Sequence, residues 1–109
     1  MIEKLLLISL LLVIFISGCI NQPEISEKDK VISACVEECK ARVARGEDLS
    51  NGPCLLNPIP DSSDWVCDVA HSPRQAVDNK PENQCSVFRE GKAKHFVEVT
   101  PECELIRTW

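Results

Sequence analysis

The sequence predicts a small disulfide-stapled α+β domain, in which one amphipathic helix packs on three to four short, mainly antiparallel strands. Three observations carry this. Apolar residues recur at three- and four-residue spacing between Asp29 and Arg45, and nowhere later. Beyond residue 64 the chain breaks into short runs of β-branched and aromatic residues, separated by Pro, Gly, Asn and Asp. Seven cysteines fall in 109 residues, a density expected of an exported domain too small to be stable on its core alone.

The first element is a leader. Lys4 precedes the apolar run Leu5–Ile16, which has the length of a signal h-region and falls short of the ~20 residues that cross a bilayer. An uncleaved signal anchor is the alternative reading of this run. Ile16-Ser17-Gly18-Cys19 then places an aliphatic residue and two small ones before a cysteine. This resembles the lipobox of prokaryotic lipoproteins. The small side chains admit a peptidase, and a thiolate is the good nucleophile toward a lipid donor. The resemblance implies removal of residues 1–18 and a thioether-linked diacylglycerol on Cys19. Two acyl chains hold a protein on a membrane where one is marginal. The expected partner is therefore membrane lipid through Cys19, on the extracytoplasmic face.

Residues 19–27 read as a polar tether, with Pro23 disfavouring an early helix, and residues 28–109 as the domain. Ser26 is an N-cap candidate with Asp29 as a short capping-box partner. Ile32, Cys35, Val36, Cys39 and Val43 form the expected apolar face of the helix, and Gly46 is its expected stop. Residues 47–64 carry three prolines and read as an ordered loop fastened at Cys54, with Leu55, Leu56 and Ile59 turned inward. Residues 65–70 have strand composition, and residues 71–84 read as a polar loop. Residues 85–88 and 93–100 flank Arg89-Glu90-Gly91-Lys92, which predicts a hairpin. Residues 103–109 read as a last strand.

With Cys19 set apart, six cysteines remain: Cys35, Cys39, Cys54, Cys67, Cys85 and Cys103. Six allow 15 pairings, among which sequence does not choose. Cys35 and Cys39, at i and i+4 on one helix face, project in parallel and are not expected to bond each other. They should reach separate partners among the other four. The helical C-x-x-x-C resembles one half of the cystine-stabilised αβ peptides, such as defensins. Their C-x-C strand is missing here, so neither their fold nor their activity carries over.

The formal charge is −5 and stays so without the leader, since Lys4 and Glu3 leave together. An acidic chain argues against nucleic acid, which needs a basic patch. No cofactor motif is present and no cofactor is expected. Cys35/Cys39 is the only close cysteine pair, which favours disulfides over zinc. There is no C-x-x-C for thiol exchange. The function expected is a membrane-tethered binding module for an extracytoplasmic protein. His71 and Arg74, in the loop between Cys67 and Cys85, are its candidate contacts. The alternative is a small exported enzyme or metal-handling protein using His71, His95 and Asp68. Trp65, Phe88, Phe96 and Trp109 are expected in the core.

Overall fold

The computed structural model describes residues 23–109, so the leader and Cys19 lie outside the described residues. Helix α1 (Glu27–Ala44) begins where Ser26 Oγ accepts from the Asp29 N–H at 3.2 Å. This satisfies one of the donors that a helix start leaves open. Arg45 is the C-cap, and Gly46 follows at φ +84°, donating to Val43 at 2.9 Å. Val31, Cys35 and Cys39 are the buried residues of this helix. Its apolar face is thus centred on Val31 rather than Ile32, which is only half-buried. Val43, expected inside, is exposed, and the last turn is tied down instead through Arg42, whose Nη2 donates to Leu55 O at 2.8 Å.

Four strands form one mixed sheet in sequence order: β1 (Cys54–Leu56), β2 (Trp65–Val69), β3 (His95–Val99) and β4 (Leu105–Thr108). The β1–β2 and β3–β4 pairs are antiparallel. The central pair β2–β3 is parallel, from Trp65 opposite His95 to Val69 opposite Val99. Parallel neighbours need a crossover. Here residues 70–94 supply it through two 3₁₀ turns (Ala76–Asn79 and Pro81–Asn83) and a short helix α2 (Ser86–Arg89). The expected hairpin at Arg89–Lys92 is therefore not formed. Gly91, at φ +75°, instead follows the end of α2, where its N–H meets Phe88 O at 3.0 Å.

Strand alternation divides the side chains between two layers. Toward α1 point Cys67, Val69, Val97 and Val99, which join Val31, Leu49, Leu55 and Ile59 in the main core. Leu55 and Ile59 do turn inward, as expected, although Cys54–Leu56 is a strand and not loop. Away from α1 point Val66, Asp68, Phe96 and Glu98. There Val66, Cys85 and Ala93 make a smaller cluster with Val87, Phe88 and Phe96 around it.

Three disulfides tie these layers together: Cys35–Cys67, Cys39–Cys103 and Cys54–Cys85. The first two bind α1 to β2 and to the turn before β4. The third binds β1 to the residue that opens α2, on the opposite face. Cys35 and Cys39 thus reach separate partners, as their spacing requires. Each bridge closes 31 to 64 residues, worth about 4 kcal/mol on chain-entropy grounds. Among the described residues no helix is long and apolar enough to cross a membrane.

Candidate functional site

The face of the sheet away from α1 carries a pocket of about 430 Å³. Its floor follows from strand register. Asp68 lies opposite Glu98, and Glu98 lies opposite Arg107, so three ionisable side chains run in a row across β2, β3 and β4. One step along the strands, Val66 and Phe96 form an apolar row. The crossover builds the walls. Arg74 comes from its start, Gln84 and Cys85 from its middle, and Phe88 and Arg89 from α2.

Two links hold the α2 wall in place. The Cys54–Cys85 bond joins it to β1. Asn57 caps it from across the chain, accepting from the Val87 N–H at 3.0 Å and donating to Ser86 Oγ at 2.8 Å. These bonds supply partners that a four-residue helix cannot supply for itself.

Glu98 is 4% exposed and takes an arginine on each oxygen. Arg107 Nε donates to Oε1 at 2.7 Å, and Arg74 Nη1 donates to Oε2 at 3.0 Å. A carboxylate engaged on both oxygens is a fixed structural anion, not a free base or nucleophile. Asp68 is its opposite. Its Oδ1 is shielded from solvent and has no hydrogen-bond partner among the described residues. Burial, and then repulsion from Glu98, push its pKa up to about 8, against the pull of Arg74. At neutral pH the side chain is mainly a neutral acid with an O–H to donate.

The arginines differ in what they have left to give. Arg74 uses three of its five N–H groups, one on each nitrogen: Nε on Asn79 Oδ1 at 2.8 Å, Nη1 on Glu98 and Nη2 on Asp78 O at 3.1 Å. Arg89 uses Nη1 on Pro81 O at 3.0 Å. Arg107 uses Nε alone, and its guanidinium sits over the Phe96 ring, 5.2 Å from the centroid. Its Nη1/Nη2 edge bonds nothing among the described residues. With Asp68 neutral, three arginines face one carboxylate, so the pocket is locally cationic on an acidic chain.

The expected site residues fare unevenly. His71 is tied to Asp78: its backbone N–H donates to Oδ2 and its ring Nδ1 lies 3.0 Å from Oδ1. Asp78, 2% exposed, also accepts from the Gln75 N–H at 2.9 Å. Burial alone would raise the Asp78 pKa, but these bonds from Gln75 and His71 outweigh it and hold the carboxyl below its ordinary value. Arg74 thus fastens the 71–84 loop to the sheet through Glu98, while His71 ties the start of the loop to Asp78 within it. Both side chains already hold internal bonds, with Arg74 still 40% exposed.

His95 sits at the other end of the strands, stacked on Trp65 at 4.8 Å and with Nε2 3.5 Å from Asp64. The parallel register explains why His71 and His95 do not meet. Val69 to Trp65 alone spans about 13 Å of strand, and His71 lies beyond Val69. No cluster of three or more His, Cys, Asp or Glu able to hold a metal occurs among the described residues. The proposed trio of His71, His95 and Asp68 is not brought together.

Sequence reading missed Glu98, Arg107, Arg89 and the role of the aromatics. Phe88 and Phe96 line the pocket, and Trp109, 66% exposed, stacks on Phe96 with centroids 5.9 Å apart. One signal was present. Val66-Cys67-Asp68-Val69 and Phe96-Val97-Glu98-Val99 each place an acid where alternation demands a face of its own. Two acids at matched positions call for cationic partners once the strands pair. No family model matches the chain, and neither a curated protein nor a solved structure does.

Proposed function

We propose that the protein is a lipid-anchored, extracytoplasmic binding module, tethered through Cys19, which presents the pocket on the open face of its sheet. The observation that carries the binding reading is the unequal use of the arginines. Glu98 is engaged on both oxygens and each nitrogen of Arg74 already holds a bond, yet the Nη edge of Arg107 has no partner among the described residues and lines the same cavity as Arg89 and Asp68. Polar groups that converge on a partly apolar cavity with unspent valence are the usual make-up of a ligand site. The anchor rests on Ile16-Ser17-Gly18-Cys19 at the end of the apolar run, and the three disulfides are compatible with an oxidising compartment.

Two measurements test the two halves. Intact mass spectrometry of protein from the membrane fraction should find residues 1–18 absent and a diacylglycerol added at Cys19. A full-length, unmodified membrane species would replace the lipoprotein with a signal anchor. Photo-crosslinkers placed at Gln84, on the pocket wall, and at Glu37, on the outer face of α1, test the surface. Adducts in native membranes should form from Gln84 and not from Glu37. Equal labelling, or labelling from Glu37 alone, would move the binding surface away from the pocket.

A further inference from the structure

We infer that the pocket receives a small organic carboxylate carried on a flat apolar body, with the ligand carboxylate on the Nη1/Nη2 edge of Arg107 and the body on Val66, Phe88 and Phe96. The inference deepens the binding reading above and rests on it. It begins with geometry. Arg107 is held twice, by the Nε bond to Glu98 and by its seat over Phe96, so its fork is oriented before any ligand arrives. A guanidinium whose Nε is occupied offers its two remaining nitrogens side by side, which matches the two oxygens of a carboxylate.

Charge selects the same class. A cation would meet Arg74, Arg89 and Arg107, and the ionised carboxylate it would need, Glu98, is already paired on both oxygens. An anion meets Arg107 and the unspent nitrogens of Arg89. The apolar part follows from the row beside the charges. Phe88 and Phe96 pack with near-perpendicular rings at 5.2 Å, and with Val66 they give the pocket an apolar side for a planar group. A volume of about 430 Å³ suits a ligand of one ring and a short chain. Such a carboxylate occurs as a free aromatic acid or as the end of a peptide closed by an aromatic residue. The recognition chemistry is shared.

The pH response also follows. Asp68 is faced by Glu98 from β3, Arg107 from β4, Arg74 and Asp78 from the crossover, and Arg89 from α2. As Asp68 ionises around pH 8 it adds a negative charge beside the pocket and repels an anion. Affinity for the carboxylate should fall across that range. It should stay flat in Asp68→Asn, which carries no charge.

The experiment uses the full chain in detergent, with binding read by calorimetry and by Trp fluorescence. The probes are phenylacetate for a free acid, N-acetylphenylalanine for a peptide end, and the two corresponding amides as neutral controls. At least one acid should bind, and its amide at least about tenfold more weakly, the scale of a charge-assisted bidentate pair. Arg107→Gln should lose that preference while its far-UV circular dichroism and disulfides stay unchanged. Arg107→Lys, which keeps charge without the fork, should recover only part of it. Whichever acid binds more tightly names the source. Amides binding as well as acids, retention of the preference in Arg107→Gln, or no binding of either acid would each overturn the assignment. In the last case, crosslinking from Gln84 would still stand or fall separately, so failure of the ligand class is distinguishable from failure of the pocket as the binding surface.

Discussion

Single positions show how tightly this small domain is determined. Gly52 has φ +67°, and a Cβ built there would lie 2.5 Å from Asp78 Oδ1 and 3.2 Å from Val69 O. That contact is with the carboxylate that fastens the 71–84 loop, so it cannot yield cheaply. Gly46 has a similar positive φ but nothing within 4 Å. Gly52→Ala should therefore cost on the order of 2–4 kcal/mol, and Gly46→Ala about 1 kcal/mol. Urea denaturation with disulfides intact measures both, and equal costs would mean that backbone conformation alone sets the penalty. Asp68, half-buried, and Asp78, buried, act on stability with opposite signs. Asp68 has its pKa raised to about 8, chiefly by burial. Between pH ~4, where the unfolded chain releases this proton, and pH 8, the folded state binds the extra proton, so stability falls as pH rises. Asp68→Asn removes that loss and should gain about 1–3 kcal/mol at pH 8 and almost nothing at pH 4. A gain of the same size at both pH values would show that the carboxyl is not protonated in the fold. Asp78, held below its ordinary value, works the other way: it stabilises above pH ~4, and that contribution is lost on acidification.

Elements show where local signals suffice and where pairing decides. The helix was legible because its caps are local: Ser26 bonds Asp29, and Gly46 closes the end. The strands at Trp65, His95 and Leu105 were legible from composition. The direction of β2 against β3 was not. Cys85-Ser86-Val87-Phe88 is too short for periodicity to separate strand from helix, and Arg89–Lys92 carries a hairpin composition. What makes it helical is tertiary: the bond to Cys54 and the cap from Asn57. With the crossover misread, the pocket was invisible, because Asp68 and Glu98 become neighbours only through the parallel register. The same logic bears on Arg74. Its side chain is 40% exposed, and an exposed arginine is ordinarily dispensable. Here its loss leaves buried Glu98 Oε2 without a partner and frees Asn79 and the Asp78 carbonyl. Arg74→Ala should destabilise by about 1–3 kcal/mol, discounted for its exposure, and should speed hydrogen exchange at the His71 and Gln75 amides. Unchanged stability with unchanged exchange would return this loop to the status of a free surface.

At the scale of the molecule, a single four-stranded sheet separates two layers that are stapled by different bonds. Cys35–Cys67 and Cys39–Cys103 fix the α1 layer, and Cys54–Cys85 fixes the layer that forms the pocket. The closed loops of Cys35–Cys67 and Cys54–Cys85 span 32 and 31 residues, so their chain-entropy contributions are nearly equal, about 4 kcal/mol each. Any difference between removing one and removing the other must then come from the folded state. Cys35 and Cys67 are both fully buried in the main core, against Val97 and Val69. Replacing that pair by Ala adds a cavity cost to the lost constraint. Cys54 is only half-buried and Cys85 belongs to the smaller cluster, so the cavity left there is slighter. The double variant Cys54→Ala with Cys85→Ala should keep α1 protected from hydrogen exchange while residues 85–93 exchange faster. Its preference for a carboxylate over the matching amide should fall, because Phe88 and Arg89 are no longer held over the floor. The variant Cys35→Ala with Cys67→Ala should raise exchange across α1, β2 and β3 together and lose more total stability. Native-state exchange by mass spectrometry separates these outcomes. If both variants open the same amides to the same extent, the layers form one cooperative unit, and the third disulfide serves the whole fold rather than the pocket wall.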